Sequence, residues 1–131
     1  WYKLAADQGN AGAQYNLGIM YSNGQGVTQS NTEAIKYYKL AADQGNAGAQ
    51  YNLGIMYRNG QGVTQSNSEA AKWFRLGADQ GYAPSQNILG QAYERGLGVT
   101  QSYPEARKWY TLAANQGNED AKEGLERIKN K

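Results

Sequence analysis

Ala13, Leu17, Met20 and Tyr21 fall at i, i+4, i+7 and i+8, the spacing of one apolar stripe on a helix. The pattern predicts a helix A over about residues 11–23, opened by Asn10, whose side-chain oxygen reaches the free amides of the first turn. Gly24 is placed to close it in the left-handed conformation that glycine adopts cheaply. Ser30-Asn31-Thr32-Glu33 reads as a capping box, serine and glutamate each satisfying a backbone amide. It opens a helix B over about residues 31–44, with Ala34, Tyr37, Tyr38 and Ala41 as its stripe and Gly45 as its terminator.

The same pattern returns along the whole chain. KLAADQGNAGAQYNLGIMY runs from Lys3 to Tyr21 and again from Lys39 to Tyr57, a step of 36 residues. Residues 1–36 and 37–72 differ at positions 1, 22, 32 and 35 alone. A period of this length is the mark of a stacked array in which each unit buries its apolar face against its neighbours. The expected domain is a single array over 1–131: a half unit 1–9, units 10–45, 46–81 and 82–117, and a half unit 118–131 that acts as a cap. In that last piece Glu119 and Asp120 suit the first turn of a helix, and Arg127, Lys129 and Lys131 its last. Gly18, Gly54 and Gly90 recur inside helix A, where glycine costs about 1 kcal/mol relative to alanine, and are read as points of close approach by another helix backbone. The chain starts inside a repeat, at Trp1, and is read as a piece of a longer protein.

The motif A-x-x-x-L-G-x-x-Y-x-x-G-x-G-V, then six residues, then A-x-x-W-Y-x-x-A-A-x-Q-G, resembles the Sel1-like repeat family, a relative of the tetratricopeptide repeat. Unit one carries it as Ala13, Leu17, Gly18, Tyr21, Gly24, Gly26, Val27, Ala34, Tyr37, Tyr38, Ala41, Ala42, Gln44 and Gly45. Unit two has Trp73-Phe74 for the ring pair and Gly77 for the first alanine; unit three opens with Ser85 in place of alanine. The resemblance implies an all-α, right-handed solenoid of antiparallel helix pairs. It further implies a non-catalytic scaffold or adaptor that binds a peptide or partner protein along a concave groove lined by helix A. Carried onto this sequence, the groove residues are Tyr15, Asn16, Ile19 and Asn23, then Tyr51, Asn52, Ile55, Arg58 and Asn59, then Asn87, Gln91, Glu94 and Arg95. The lysines that clamp a terminal carboxylate in tetratricopeptide proteins are replaced by Tyr15, Tyr51 and Asn87.

Composition narrows the chemistry. A net charge of +2, well mixed, is too weak to draw nucleic acid by counterion release. No apolar run is long enough to insert in a membrane. Cysteine and histidine are both absent, so disulfides are excluded and no nucleophile with an activating base can be assembled. The recurring carboxylates Asp7, Asp43 and Asp79 fall near the end of helix B and Glu33, Glu69 and Glu105 at its start, so both series have a helix-end explanation. No cofactor or metal is expected. The G-x-G-V turns lack the strand and the G-K-[ST] of a phosphate loop and read as connectors. The ring pairs Trp1-Tyr2, Tyr37-Tyr38, Trp73-Phe74 and Trp109-Tyr110 read as core, one ring to each side of the helix layer. Competing readings are a cell-wall or glycan-binding module using exposed tyrosines, a β-lactamase-like hydrolase by analogy with cysteine-paired members, and a spacer that binds nothing. Compartment and oligomeric state are left open.

Overall fold

The structure, a computed structural model, describes residues 2–131, for Tyr2 the backbone alone, so the Trp1-Tyr2 ring pair lies outside it. Eight helices follow one another: α1 (Tyr2–Asp7), α2 (Ala11–Asn23), α3 (Asn31–Asp43), α4 (Ala47–Asn59), α5 (Asn67–Asp79), α6 (Ala83–Arg95), α7 (Tyr103–Asn115) and α8 (Glu119–Ile128). They form a right-handed α/α solenoid in which α2–α3, α4–α5 and α6–α7 pair most tightly and each pair then packs on the next.

Local chemistry sets the helix ends. Asn10, Asn46 and Asn118 each accept from the amide three residues on, at 2.8 Å. Gly24, Gly60 and Gly96 close α2, α4 and α6 in the left-handed region, their amides donating back to Met20, Met56 and Ala92. Only the serine half of the expected capping box forms. Ser30, Ser66 and Ser102 accept from the amides of Glu33, Glu69 and Glu105, but the serine amides donate to the carbonyls of Tyr21, Tyr57 and Tyr93 instead of to the glutamates. That bond ties the start of helix B to helix A of its own pair. The last helix ends at Ile128, so of the three expected basic residues only Arg127 lies in its final turn.

The ring pairs divide as expected between the two sides. Tyr37 packs with Ala6 and Leu17, Trp73 with Ala42 and Leu53, Trp109 with Ala78 and Leu89. The second ring of each pair turns the other way, Phe74 towards Ile88 and Tyr110 towards Ala121 and Ile128. The helix-A glycines serve these second rings. A Cβ at Gly18, Gly54 or Gly90 would lie 2.6–2.7 Å from Tyr38, Phe74 or Tyr110. The close approach is therefore by a flat ring, not by a helix backbone.

Two departures from the repeat compensate each other. Where the other pairs have Ala41 facing Ala49 and Ala113 facing Ala121, the chain has Gly77 facing Ser85. A Cβ on Gly77 would meet the Ser85 Oγ at 2.6 Å, and that hydroxyl is fully buried without a partner. Gly77→Ala alone gains helix propensity of about 1 kcal/mol and loses it to overpacking of similar size. Together with Ser85→Ala it recreates the alanine pair and removes an unpaired polar atom, so the double variant is expected to exceed both singles and the natural chain by at least about 1 kcal/mol. Urea titration of all four proteins measures this; simple additivity of the two singles would refute the coupling.

Candidate functional site

Successive helix pairs leave clefts between them, floored by the second ring of each pair. The first cleft is lined by Ile19, Ser22, Asn23, Tyr38, Asn52, Ile55, Met56 and Gln61 and encloses about 290 Å³. Burial, then the neighbouring Tyr15, pushes the Tyr38 phenol above its ordinary value, with Ser22 and Asn52 beside it drawing it back. The cleft can exchange hydrogen bonds but holds no charge. The second cleft, about 190 Å³, has Ala70, Ala71, Phe74, Ile88, Ala92 and Leu97 as apolar surface, with Arg58, Asn67, Gln91 and Arg95 around them.

At the third junction the chain fills the position itself. Arg127 of α8 donates to both carboxylate oxygens of Glu94, Nε at 2.9 Å and Nη2 at 2.8 Å, while the Tyr110 hydroxyl donates to Oε1 at 2.6 Å. The Glu94 side chain is left 13% exposed. The Arg127 guanidinium, opposed by burial and helped by Tyr110, holds the Glu94 carboxyl at about 2, well below its ordinary 4.5. Burial and the adjoining carboxylate push the Tyr110 hydroxyl upward. Because the folded value is the lower one, the stability contributed by Glu94 is complete above the ordinary carboxylate range and disappears as pH falls from about 4.5 to about 2. The gap in melting temperature between the natural chain and Glu94→Gln is thus expected to be constant above about pH 5 and to close towards about pH 2. A gap independent of pH would contradict the pairing.

The residues expected to face a groove fall into four groups. Ile19, Asn23, Asn52 and Ile55 meet in the first cleft, and Arg58, Gln91 and Arg95 meet in the second. Tyr15 and Tyr51 are half-buried between neighbours. The Tyr15 ring lies 6.2 Å from that of Tyr38, and its phenol end lies against Gly48 of the next pair; Tyr51 contacts Phe74 and Tyr82, both at 5.9 Å. Asn16 and Asn59 are exposed on helix A outside both clefts. Asn87 is buried, 8% exposed, with its Oδ1 unpartnered, and Glu94 is committed to Arg127. Among the described residues no three His, Cys, Asp or Glu side chains gather as a metal site would need, and no helix is long and apolar enough to cross a membrane.

This geometry, helix pairs in register every 36 residues, has a family counterpart. The model of the Sel1 repeat matches residues 1–10, 11–46, 47–82 and 83–118. The chain belongs to the Sel1 repeat family. Among solved structures, c5321, a protective antigen present in uropathogenic Escherichia coli strains and displaying an SLR fold, is 48% identical with a TM-score of 0.91. That match covers 92% of this chain but 26% of the antigen. A Sel1 repeat protein from Oxalobacter formigenes is 38% identical at TM-score 0.85, over 87% of this chain and 47% of that one. The cysteine rich protein B of Helicobacter pylori, 24% identical at TM-score 0.70 over 92% and 91% of the two chains, shares the fold. No curated protein matches. Sel1 repeat proteins are generally protein-interaction scaffolds and generally non-catalytic.

The Sel1 units here are also joined by a glutamine relay that sequence reasoning passed over. Gln14, Gln50 and Gln86 are buried and donate to the carbonyls of Ala6, Ala42 and Ala78 in the preceding helix B. Each accepts in turn from Gln44, Gln80 or Gln116 at 2.7–2.9 Å. A glutamine in a polar-rich helix reads as solvated. Its recurrence every 36 residues beside the Q-G that ends helix B was the available signal.

Proposed function

We propose that this array is a non-catalytic scaffold that holds a peptide or partner protein along the helix-A side, in the clefts between successive units. The observation that carries the reading is a division of labour among the side chains. The recurring rings, alanines and glutamines are occupied by packing between helices. Ile19, Asn23, Asn52 and Ile55, and then Arg58, Gln91 and Arg95, gather around two open clefts instead. Their mixture of apolar, amide and guanidinium groups suits partner recognition, in which a few aromatic, aliphatic or Arg contacts dominate the energy. The ring pairs offer no stacking ladder for sugars, since the described ones are buried.

Partners captured on the natural chain are expected to be lost, at least tenfold, from Ile55→Asp, which charges the wall between the two clefts. They should be retained by Leu40→Asp, which adds the same charge on helix B at a residue that is 43% exposed. Equal recovery by both variants, each shown folded by circular dichroism, would overturn the assignment of the binding side.

A further inference from the structure

The three junctions present one site in three chemical forms. The floor alternates as Tyr38, Phe74 and Tyr110 at the 36-residue step. At the first junction the phenol and Asn52 make the cleft polar. At the second the hydroxyl is gone, Ile88 stands at the place of Asn52, and Ala71 stands at the place of Ile35. In the first unit Ile35 reaches over the incoming loop, its Cδ1 3.0 Å from where a Cβ on Gly62 would be. Ala71 cannot reach so far, and an apolar opening remains beside Phe74. At about 190 Å³ it is smaller than the roughly 300–1,000 Å³ of sites for small molecules. It has room for one leucine- or phenylalanine-sized side chain.

Arg58 stands at the place that Glu94 occupies one unit later, and Gln91 stands at the place of Arg127. At the third junction the rim charge therefore has its counter-ion from the next helix: Glu94 answered by Arg127 at 2.8 Å. At the second junction the rim charge is reversed and the facing side chain is neutral. Neither Arg58 nor Arg95 enters an ion pair among the described residues. The chain provides an apolar pocket with cations on its rim and no acidic side chain in its lining; Glu94, beside Arg95 in the chain, is committed to Arg127.

We propose that the cleft between the α4–α5 pair and α6 is the anchor pocket of the scaffold, taking a protein segment that presents one apolar side chain next to a carboxylate. The apolar group enters over Phe74, Ala71 and Ile88, and the carboxylate meets Arg58 and Arg95, the planar guanidinium being well suited to it. This rests on the scaffold reading above and narrows it to one junction and one ligand class. The first cleft then extends the contact with hydrogen bonds, and the third is closed by the chain's own ion pair.

The test uses fluorescein-labelled decapeptides with a central Leu flanked by Asp, by Lys or by Ser, titrated by anisotropy. Two variants carry what unit one has at the same places, Ala71→Ile and Arg58→Ser, and circular dichroism with urea titration first establishes that each is folded. The natural chain is expected to bind the Asp-flanked peptide at least tenfold more tightly than the other two. Ala71→Ile should weaken that binding at least tenfold, and Arg58→Ser should reduce the preference for Asp over Ser to near unity. Three peptides binding alike, an unaffected Ala71→Ile variant, or no binding at all would each overturn the anchor pocket. If that happens while partner capture still depends on Ile55, the scaffold reading survives without this pocket; if capture is also indifferent to Ile55, both fall.

Discussion

Gly98→Ala is expected to cost about 3 kcal/mol or more, while the same change at Gly26 costs only the backbone strain of about 1–2 kcal/mol. Gly26, Gly62 and Gly98 share a φ of 76°, so the strain of placing a side chain in the left-handed region is common to all three. What differs is the neighbour. A Cβ on Gly26 meets nothing nearer than the Met20 Cε at 3.5 Å. On Gly62 it meets the Cβ of Asn31 at 2.9 Å, at the start of helix B in the preceding unit. On Gly98 it runs into the backbone carbonyl of Asn67, which cannot swing aside as a side chain can. Denaturant unfolding of the three alanine variants should rank them in that order. Equal losses would mean that the loops do not dock on the preceding unit.

Tyr110→Ala should destabilise the chain by about 3–5 kcal/mol. The ring is completely buried, clasped by two helices whose glycines leave room for it: a Cβ on Gly90 or Gly124 would fall 2.7 or 2.6 Å from it. Removing the ring opens a cavity between α6 and α8. It also strips Glu94 of the hydroxyl that donates to it. Tyr110→Phe keeps the packing, as Phe74 does one unit earlier, and loses only a charge-assisted bond of about 1.5–3 kcal/mol. Hydrogen exchange in α8 should rise much more in the alanine variant than in the phenylalanine one. If the two variants behave alike, α8 is not held by this ring.

Those two residues show what the sequence reveals and what it hides. Helix limits were legible because capping is local: Asn10 and Gly24 bracket a helix that runs from Ala11 to Asn23, as the pattern predicts. The burial of the ring pairs was legible too, since adjacent residues on a helix point to different sides. Contacts between units were not. The spacing at Gly18 predicts the approach of a backbone, and the Tyr38 ring is what meets it, because spacing shows that something approaches and not what it is. Glu94 looks like an open groove charge, yet its partner Arg127 lies 33 residues away, off the 36-residue step, where matching repeat positions cannot find it. Asn87 stands on the predicted groove face and is buried in a run from Ser85 to Gly90 that is buried throughout, where the same stretch of α2 and α4 leaves several positions partly open. The capping-box pattern pairs the Ser30 amide with Glu33, but that amide donates to the Tyr21 carbonyl across the loop.

Each unit of the array is stabilised by its immediate neighbours, so that one can be taken out and the rest re-joined. Deleting residues 37–72 tests this most directly, since it splices Lys36 to Trp73 in the middle of a helix B and brings Ile35 and Ser22 to the junction with α6. The shorter chain is expected to remain fully helical and to unfold cooperatively, with a lower urea midpoint, and to lose binding of the Asp-flanked peptide because Ile35 now covers Phe74. A chain that is unfolded or only partly helical in buffer would contradict the nearest-neighbour account.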